Sequence, residues 1–442
     1  MTTDSGGPAR TAGGRRMPAR DRVWLDVDNL RVFGPFHGIT ADGLRESLVS
    51  LHDRQPDVPA VCAVDRGAAR WRPLSRPDFA EFSRDLVVDL DDPGRYPGRY
   101  SGRLHPGHGD AADAVTRRLV DEPLGDRPLL LAVGGGFVGA KISHAVGDGG
   151  VNNRLIPELL RATAQRRPPR PPFPAPTRLP VVRGMLRHFG RHPARLVPAL
   201  RVSLPPAAPA APAGGATRAW HPDVRYVSVR SGHALSDIRA WRDRHAPGVS
   251  AAAVLFAAAR VALADNGLTP GQPGSVILFD ARRYLPKGAE VAGNFSWGQY
   301  LEATDATDPR AVHARLGGEV ASGRPMAMLA LRTARQTLWP SHGGAPAPHA
   351  VPVDPRPDLT LTHIGRLDMY TDLPWAGPVA ERRNISVPST SGPQAITLSF
   401  SELFGALYLN ASFHGSTFDP AAVASAVDLI CRDPVALVHA AG

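Results

Sequence analysis

The octapeptide Ser143-His144-Ala-Val-Gly147-Asp148-Gly149-Gly150 is the most informative stretch of this 442-residue chain. Ahead of it, two apolar segments flank the glycines 134–136, which predicts a β-hairpin whose second strand runs over 137–143. Behind it, leucines at helical spacing predict a helix over 151–165. His144 is therefore expected where a strand gives way to a loop, a usual location for catalytic side chains.

A histidine four residues before Asp-Gly is a weak motif alone, because chance supplies roughly 0.1 such matches in a chain of this composition. His233 and Asp237 repeat the spacing, but they fall in a predicted helix and are interpreted as a solvated pair. For His144 and Asp148 two interpretations are open. Either they form a catalytic motif, or His144 is a loop histidine beside a helix-capping Asp148.

Outward from this motif, composition divides the chain into four parts: a disordered tail (1–20), an N-terminal lobe (21–165), a Pro- and Arg-rich linker (166–222) and a C-terminal lobe (223–442). Both lobes mix strand and helix signals, so an α/β fold is expected. Further helices are predicted over 41–52, 110–121, 231–245, 251–266, 308–337 and 420–431. Further strands are predicted over 85–90, 226–230, 275–280, 359–364, 384–387, 394–400 and 406–413.

The net charge of +10 belongs to one segment. Residues 159–222 contain 11 arginines and no acidic residue, and without them the chain has 40 basic and 41 acidic residues. A uniformly basic body that binds nucleic acid is therefore excluded.

Within this segment, apolar residues recur near a 3.6-residue period among arginines, which predicts a short basic amphipathic helix that ends before Pro193. Three interpretations are open: a solvated linker, a docking patch for an acidic carrier protein or CoA phosphates at Arg183, Arg187 and Arg191, and peripheral membrane contact.

Two cysteines, Cys62 and Cys431, argue against a disulfide scaffold and a cysteine-rich zinc site. The chain has no run of about 18 apolar residues and no signal-peptide pattern, so the expectation is a soluble cytoplasmic protein without a metal or a membrane span.

With these motifs, the chain resembles the superfamily of CoA- or carrier-protein-dependent acyltransferases. This superfamily includes chloramphenicol acetyltransferase, peptide-synthetase condensation domains and wax-ester-synthase relatives. Their motif is His-His-x-x-x-Asp-Gly, where Ser143 here replaces the first histidine, while His144, Asp148 and Gly149 match. Asp280–Pro286, Val291–Phe295 and Thr362–Asp368 resemble later segments of condensation-like members, so the resemblance covers most of the chain from about residue 85 onward.

The resemblance implies two chloramphenicol-acetyltransferase-like lobes with mixed sheets and an active-site channel between them. It implies that His144 is the general base and that Asp148 is structural and paired with an arginine. By position that arginine is Arg282, with Arg283 as the competitor. Gly149 would keep the backbone open beside the ring.

Further residues expected to support the site, Asn294, Ser296 and Trp297, come from the segment that begins at Val291. Ser296, Trp297 or a backbone N–H near Gly149 could donate to the oxyanion of an acyl-transfer intermediate, and the sequence does not choose among them.

The leading hypothesis is an acyltransferase of specialised metabolism or lipid assembly. It would move an acyl group from CoA or an acyl carrier protein to a hydroxyl or amine, with the thioester as co-substrate and no cofactor. The alternatives are a condensation-type enzyme that joins two carrier-bound substrates and a non-catalytic docking protein of the same fold.

Overall fold

The computed structural model describes residues 14–92, 108–201, 216–340 and 348–440. These residues form two compact units, each built from strands and helices. The first unit holds residues 14–92, 108–174 and the short segment 373–377, and the second holds the other described residues. The α/β fold class expected from the sequence is confirmed.

The first unit contains the strand that leads to His144. In chain order its elements are β1 (Arg15–Arg16), α1 (Ala19–Arg22), β2 (Asp28–Gly34), α2 (Ala41–Arg54), β3 (Ala63–Asp65), β4 (Arg70–Arg72), α3 (Arg76–Leu86), β5 (Val87–Asp89), α4 (His108–Asp121), β6 (Leu129–Gly134), β7 (Phe137–Ser143) and α5 (Gly149–Ala164). Within this unit β7 pairs antiparallel with both β2 and β6, and β5 pairs parallel with β6.

The predicted hairpin is confirmed as β6 and β7. Gly134 pairs with Phe137, so the turn consists of Gly135 and Gly136, whose φ angles are 55° and 82°. Two consecutive positive φ angles favour glycine at both positions, which is why this turn could be predicted locally.

Two expectations for the first unit are wrong. Residues 14–20 are not a tail, because β1 pairs with β4 and Met17 is 2% exposed; residues 1–13 lie outside the described part. The strand expected over 85–90 is shorter, because α3 continues to Leu86 and buries Phe79 and Leu86 on one face.

The second unit begins within the segment that the sequence assigned to a linker. In chain order its elements are α6 (Pro180–Phe189), α7 (Leu196–Leu200), β8 (Thr217–Ala219), β9 (Val224–Ser231), α8 (Ala234–His245), α9 (Ala251–Asp265), β10 (Ser275–Asp280), β11 (Ser296–Leu301), α10 (Pro309–Ser322), α11 (Arg324–Leu338), β12 (Ala350–Pro352), β13 (Asp358–Arg366), β14 (Arg383–Val387), β15 (Ala395–Leu403), β16 (Ala406–His414), α12 (Pro420–Arg432) and α13 (Pro434–Ala440).

Six strands of the second unit form one mixed sheet in the order β11-β10-β13-β15-β16-β9. Leu398 and Phe400 of β15 and Leu409 of β16 belong to a core cluster with residues of α9 and α12. The alternate residues, such as Ser399 and Asn410, are polar, so the sheet has one apolar and one polar face.

The single helix expected over 308–337 is wrong, because Gly323 divides it into α10 and α11. Its φ is 71°, a conformation that ends a helix, and a Cβ there would overlap the ring of His188. The ring of His188 in α6 occupies the space that a Cβ would need, and Pro325 in the first turn of α11 is a local signal for the break that helical periodicity does not include.

Candidate functional site

The backbone fixes His144 immediately after β7. Its N–H donates to the carbonyl of Val27 at 2.6 Å, and its own carbonyl accepts from the N–H of Gly147 at 3.1 Å. The neighbouring Ala145 and Val146 are buried, while His144 is half-buried. The ring therefore sits on a rigid turn, as a positioned catalytic base requires.

Trp24 is the functional candidate that the sequence interpretation missed. Its ring stacks on that of His144, with centroids 4.4 Å apart and planes 16° from parallel. Trp24 is itself held by a tight turn, in which its N–H donates to the carbonyl of Asp21 at 3.0 Å and its carbonyl accepts from Val27. Stacking of this kind fixes the plane of the imidazole.

Asp148 caps helix α5. Its Oδ1 accepts from the N–H of Gly150 at 3.0 Å, and its carbonyl accepts from the N–H groups of Val151 and Asn152. The carboxylate is 3% exposed. Asp148 is therefore the N-cap of α5, as the capping interpretation expects.

Gly147 and Gly149, on either side of Asp148, suit their positions for different physical reasons. A Cβ on Gly147 would overlap the side chain of Val151, so the close approach of α5 to the turn excludes larger residues. Gly149 is the first residue of α5, and a Cβ there would meet nothing within 4 Å. Open space beside Gly149 agrees with the role that the resemblance implies for it.

Ser143, which replaces the first histidine of the stricter motif, is fully buried, and in the described residues its hydroxyl has no hydrogen-bond partner. It pairs across the sheet with Asp28, whose pKa is raised by burial and lowered in part by Lys141, 4.0 Å away. Burial in turn lowers the pKa of Lys141. A serine at 143 thus fills an interior position of the sheet.

In the second unit, Arg282 lies in a 3₁₀ turn after β10. Its Nη1 is 3.2 Å from Oδ1 of Asp280, and its Nη2 donates to the carbonyl of Gly293 at 3.2 Å. The Arg282 side chain is 18% exposed, whereas Arg283 is an exposed residue that donates to the carbonyl of Asp280. Arg282 is therefore the better placed of the two for a structural role.

Asn294, Ser296 and Trp297 follow in the same segment, at the start of β11. Asn294 is fully buried, and Ser296 is half-buried. The only N–H of the Trp297 ring donates to Oε1 of Gln299 at 3.1 Å, so it is already used. Ser296 and the backbone near Gly149 are left as the candidate oxyanion donors.

The polar face of the large sheet contains a second group that sequence reasoning missed. Asn410 is 1% exposed and lies opposite Ser399, and neither side chain has a hydrogen-bond partner in the described residues. A buried amide without partners destabilises a fold by about 1–3 kcal/mol, so this pair is a further candidate for contact with a polar substrate group. The alternation of side chains along the strands places Ser399 and Asn410 on the polar face, but no sequence motif indicates a functional role for them.

Over residues 14–92, 108–201, 216–340 and 348–440, no three His, Cys, Asp or Glu side chains come close enough to hold a metal ion. The helices in these ranges are all too short or too polar to span a membrane.

No protein-family model and no curated protein matches the chain. Its fold, however, is similar to that of trichothecene 15-O-acetyltransferase from Fusarium sporotrichioides, with a TM-score of 0.57 and 13% identity over 96% of this chain and 94% of the other. Polyketide synthase associated protein 5 from Mycobacterium tuberculosis is similar with a TM-score of 0.54 and 17% identity, over 95% of this chain and 97% of the other.

The first condensation domain of the CDA synthetase gives a TM-score of 0.54 and 16% identity over 97% of each chain. All three structures cover nearly the whole of this chain, and their identities are low enough that the likeness concerns the fold alone. The chain therefore has the same fold as these three structures.

Proposed function

We propose that this protein is an acyltransferase that moves an acyl group from a CoA or carrier-protein thioester to a hydroxyl or amine, in specialised metabolism or lipid assembly. The observation that carries the proposal is the placement of His144. Its backbone is fixed at the end of β7, and its ring is stacked on Trp24, in a chain whose fold is that of acyl-transferring enzymes.

The chemistry needs one base and one oxyanion site. The imidazole of His144 accepts the proton of the acceptor while the acceptor oxygen or nitrogen bonds to the thioester carbon. The C–S bond then breaks, and the departing thiolate takes the proton from the imidazolium. The acyl group passes directly to the acceptor, so neither a nucleophilic Ser or Cys nor a cofactor is required.

The supporting residues take the remaining roles. Asp148 holds the start of α5, and we propose that it pairs with Arg282, as the resemblance implies. Gly149 leaves space for the reacting groups, and the Ser296 hydroxyl or the backbone N–H near Gly149 stabilises the oxyanion. Asn294 stabilises the loop before β11 from the interior.

A condensation-type reaction between two carrier-bound substrates is the second candidate, and the similarity to a condensation domain favours it. The two candidates differ in what the protein consumes. An acyltransferase of the first kind uses acyl-CoA with a free acceptor, whereas a condensation enzyme is inert with acyl-CoA and consumes two loaded carrier domains.

The test is thiol release from a panel of acyl-CoA thioesters in the presence of alcohols and amines, with intact product masses recorded. We expect an ester or amide and one equivalent of free thiol. No thiol release from any acyl-CoA or loaded carrier would contradict the proposal, and the docking-protein alternative would then stand.

A further inference from the structure

The five most exposed large apolar side chains in the described residues all lie on three helices of the second unit. Leu179 precedes α6, Leu186 lies in it, and Val197 lies in α7, with 72%, 66% and 64% of their surface exposed. Leu338 ends α11 and Trp339 follows it, at 66% and 71%.

The exposed residues of α6 form one stripe. In α6, Val182 and Leu186 are spaced i and i+4, which places them within about 40° of arc on a helix of 3.6 residues per turn, and Leu179 lies just before the helix. Helix α6 is anchored at Gly184, where a Cβ would be 2.6 Å from Sδ of Met326 in α11, and at its last residue, Phe189, which is buried. The stripe is therefore presented outward by a packed helix.

The charged side chains within these segments have one sign. Arg183, Arg187, Arg191 and Arg195 are exposed in and after α6, and Arg335 is exposed between Leu331 and Leu338 of α11. The sequence has no acidic residue over 159–222 or 320–353. We name residues 179–200 and 331–339 the arginine–leucine surface.

We propose that the arginine–leucine surface binds an anionic lipid bilayer, with its leucines and Trp339 inserted among the headgroups. Leu, Trp and Arg without acidic residues are the composition of helices that lie in the membrane interface. The aliphatic stems of the arginines can lie along the apolar region while their guanidinium groups meet lipid phosphates. Apolar side chains that protrude from three helices suit a broad lipid layer better than a single helix of an acidic protein.

The experiment is flotation of the full chain with phosphatidylcholine vesicles and with vesicles of phosphatidylcholine and phosphatidylglycerol. We expect binding only to the second kind, and weaker binding as salt rises. Because each arginine near an anionic surface contributes about fivefold to binding, Arg183→Glu with Arg187→Glu should weaken it by more than about 25-fold. Leu186→Ser with Leu338→Ser should also weaken it, without a change in thermal unfolding.

Matched controls are Arg84→Glu with Arg244→Glu, exposed arginines elsewhere, and Val224→Ser with Val353→Ser. Both control pairs should bind vesicles like the wild type. The proposal is overturned if anionic vesicles do not bind, or if the surface variants bind them as tightly as the controls.

Two other occupants would also overturn it. One is a loaded acidic carrier protein that binds through these residues while vesicles do not. The other is a dimer that the surface variants dissociate. Flotation measures no turnover, so its outcome is separate from that of the proposed acyltransferase activity.

Discussion

The turn at His144 and the arginine–leucine surface are built in opposite ways. At the turn, backbone hydrogen bonds, a helix cap and a stacked ring hold a half-buried side chain in one position. On the arginine–leucine surface, large apolar side chains are exposed, and the same segments contain arginines but no acidic residue. The turn at His144 suits a reaction that needs an accurately placed atom, and the arginine–leucine surface suits a broad partner such as a lipid layer.

If this contrast is correct, the largest effect on turnover comes from His144→Ala. Loss of the general base should lower kcat/KM by about 10²–10⁴-fold, with unchanged thermal unfolding. The control is His233→Ala, which has the same spacing to an aspartate but lies exposed at the start of α8. Equal losses in both variants would contradict a specific role for His144.

Alanine substitutions at Gly147 and Gly149 should have different effects on stability, because only the space beside Gly147 is filled by another side chain. Gly147→Ala is expected to destabilise the protein by about 1–3 kcal/mol in urea unfolding, because the new methyl group overlaps Val151. Gly149→Ala should leave stability unchanged or raise it by about 0.4–1 kcal/mol. Similar losses in the two variants would show that the space at Gly149 is not open.

Trp24 should affect catalysis through the orientation of the imidazole. Trp24→Leu is expected to lower kcat by about two- to tenfold with little change in KM, and Trp24→Phe should restore most of the loss. A loss that appears only in stability, with normal kcat, would assign Trp24 a purely structural role.

The buried thiols should be inert at neutral pH. Burial raises the pKa of both Cys62 and Cys431 to about 12, because the interior disfavours the thiolate. We expect neither thiol of the native protein to react with a thiol-specific dye until the chain is unfolded in denaturant. Loss of activity upon alkylation of the native protein would contradict this expectation.

The smallest effect is predicted for the arginine–leucine surface. Arg183→Glu with Arg187→Glu should leave turnover of a short acyl-CoA within about twofold of the wild type, since solvent and salt screen exposed charges. A large loss with a small soluble donor would place these arginines in the binding of the thioester itself.

The sequence predicted what depends on local patterning. The hairpin of β6 and β7 and the helix after Asp148 follow from glycine placement and periodicity. The stacking of Trp24 on His144 depends on a contact between residues far apart in the chain, which no local pattern encodes. The break at Gly323 has a local signal in Pro325, which helical periodicity alone does not include.

The basic helix was predicted as well, but not which of its faces is exposed. Phe189 and Leu186 are about 60° apart on the helix. Phe189 is buried because it packs with Ala199 of α7 and Ala327 of α11, whereas Leu186 is exposed.

The most direct test of the central claim is the pH dependence of thiol release by the wild-type chain and by His144→Gln, at saturating acceptor. If His144 is the base, the wild-type rate rises along a single ionisation as the imidazole loses its proton, and the residual rate of the variant lacks that ionisation. The same curve in both proteins would contradict the assignment of His144 as the general base.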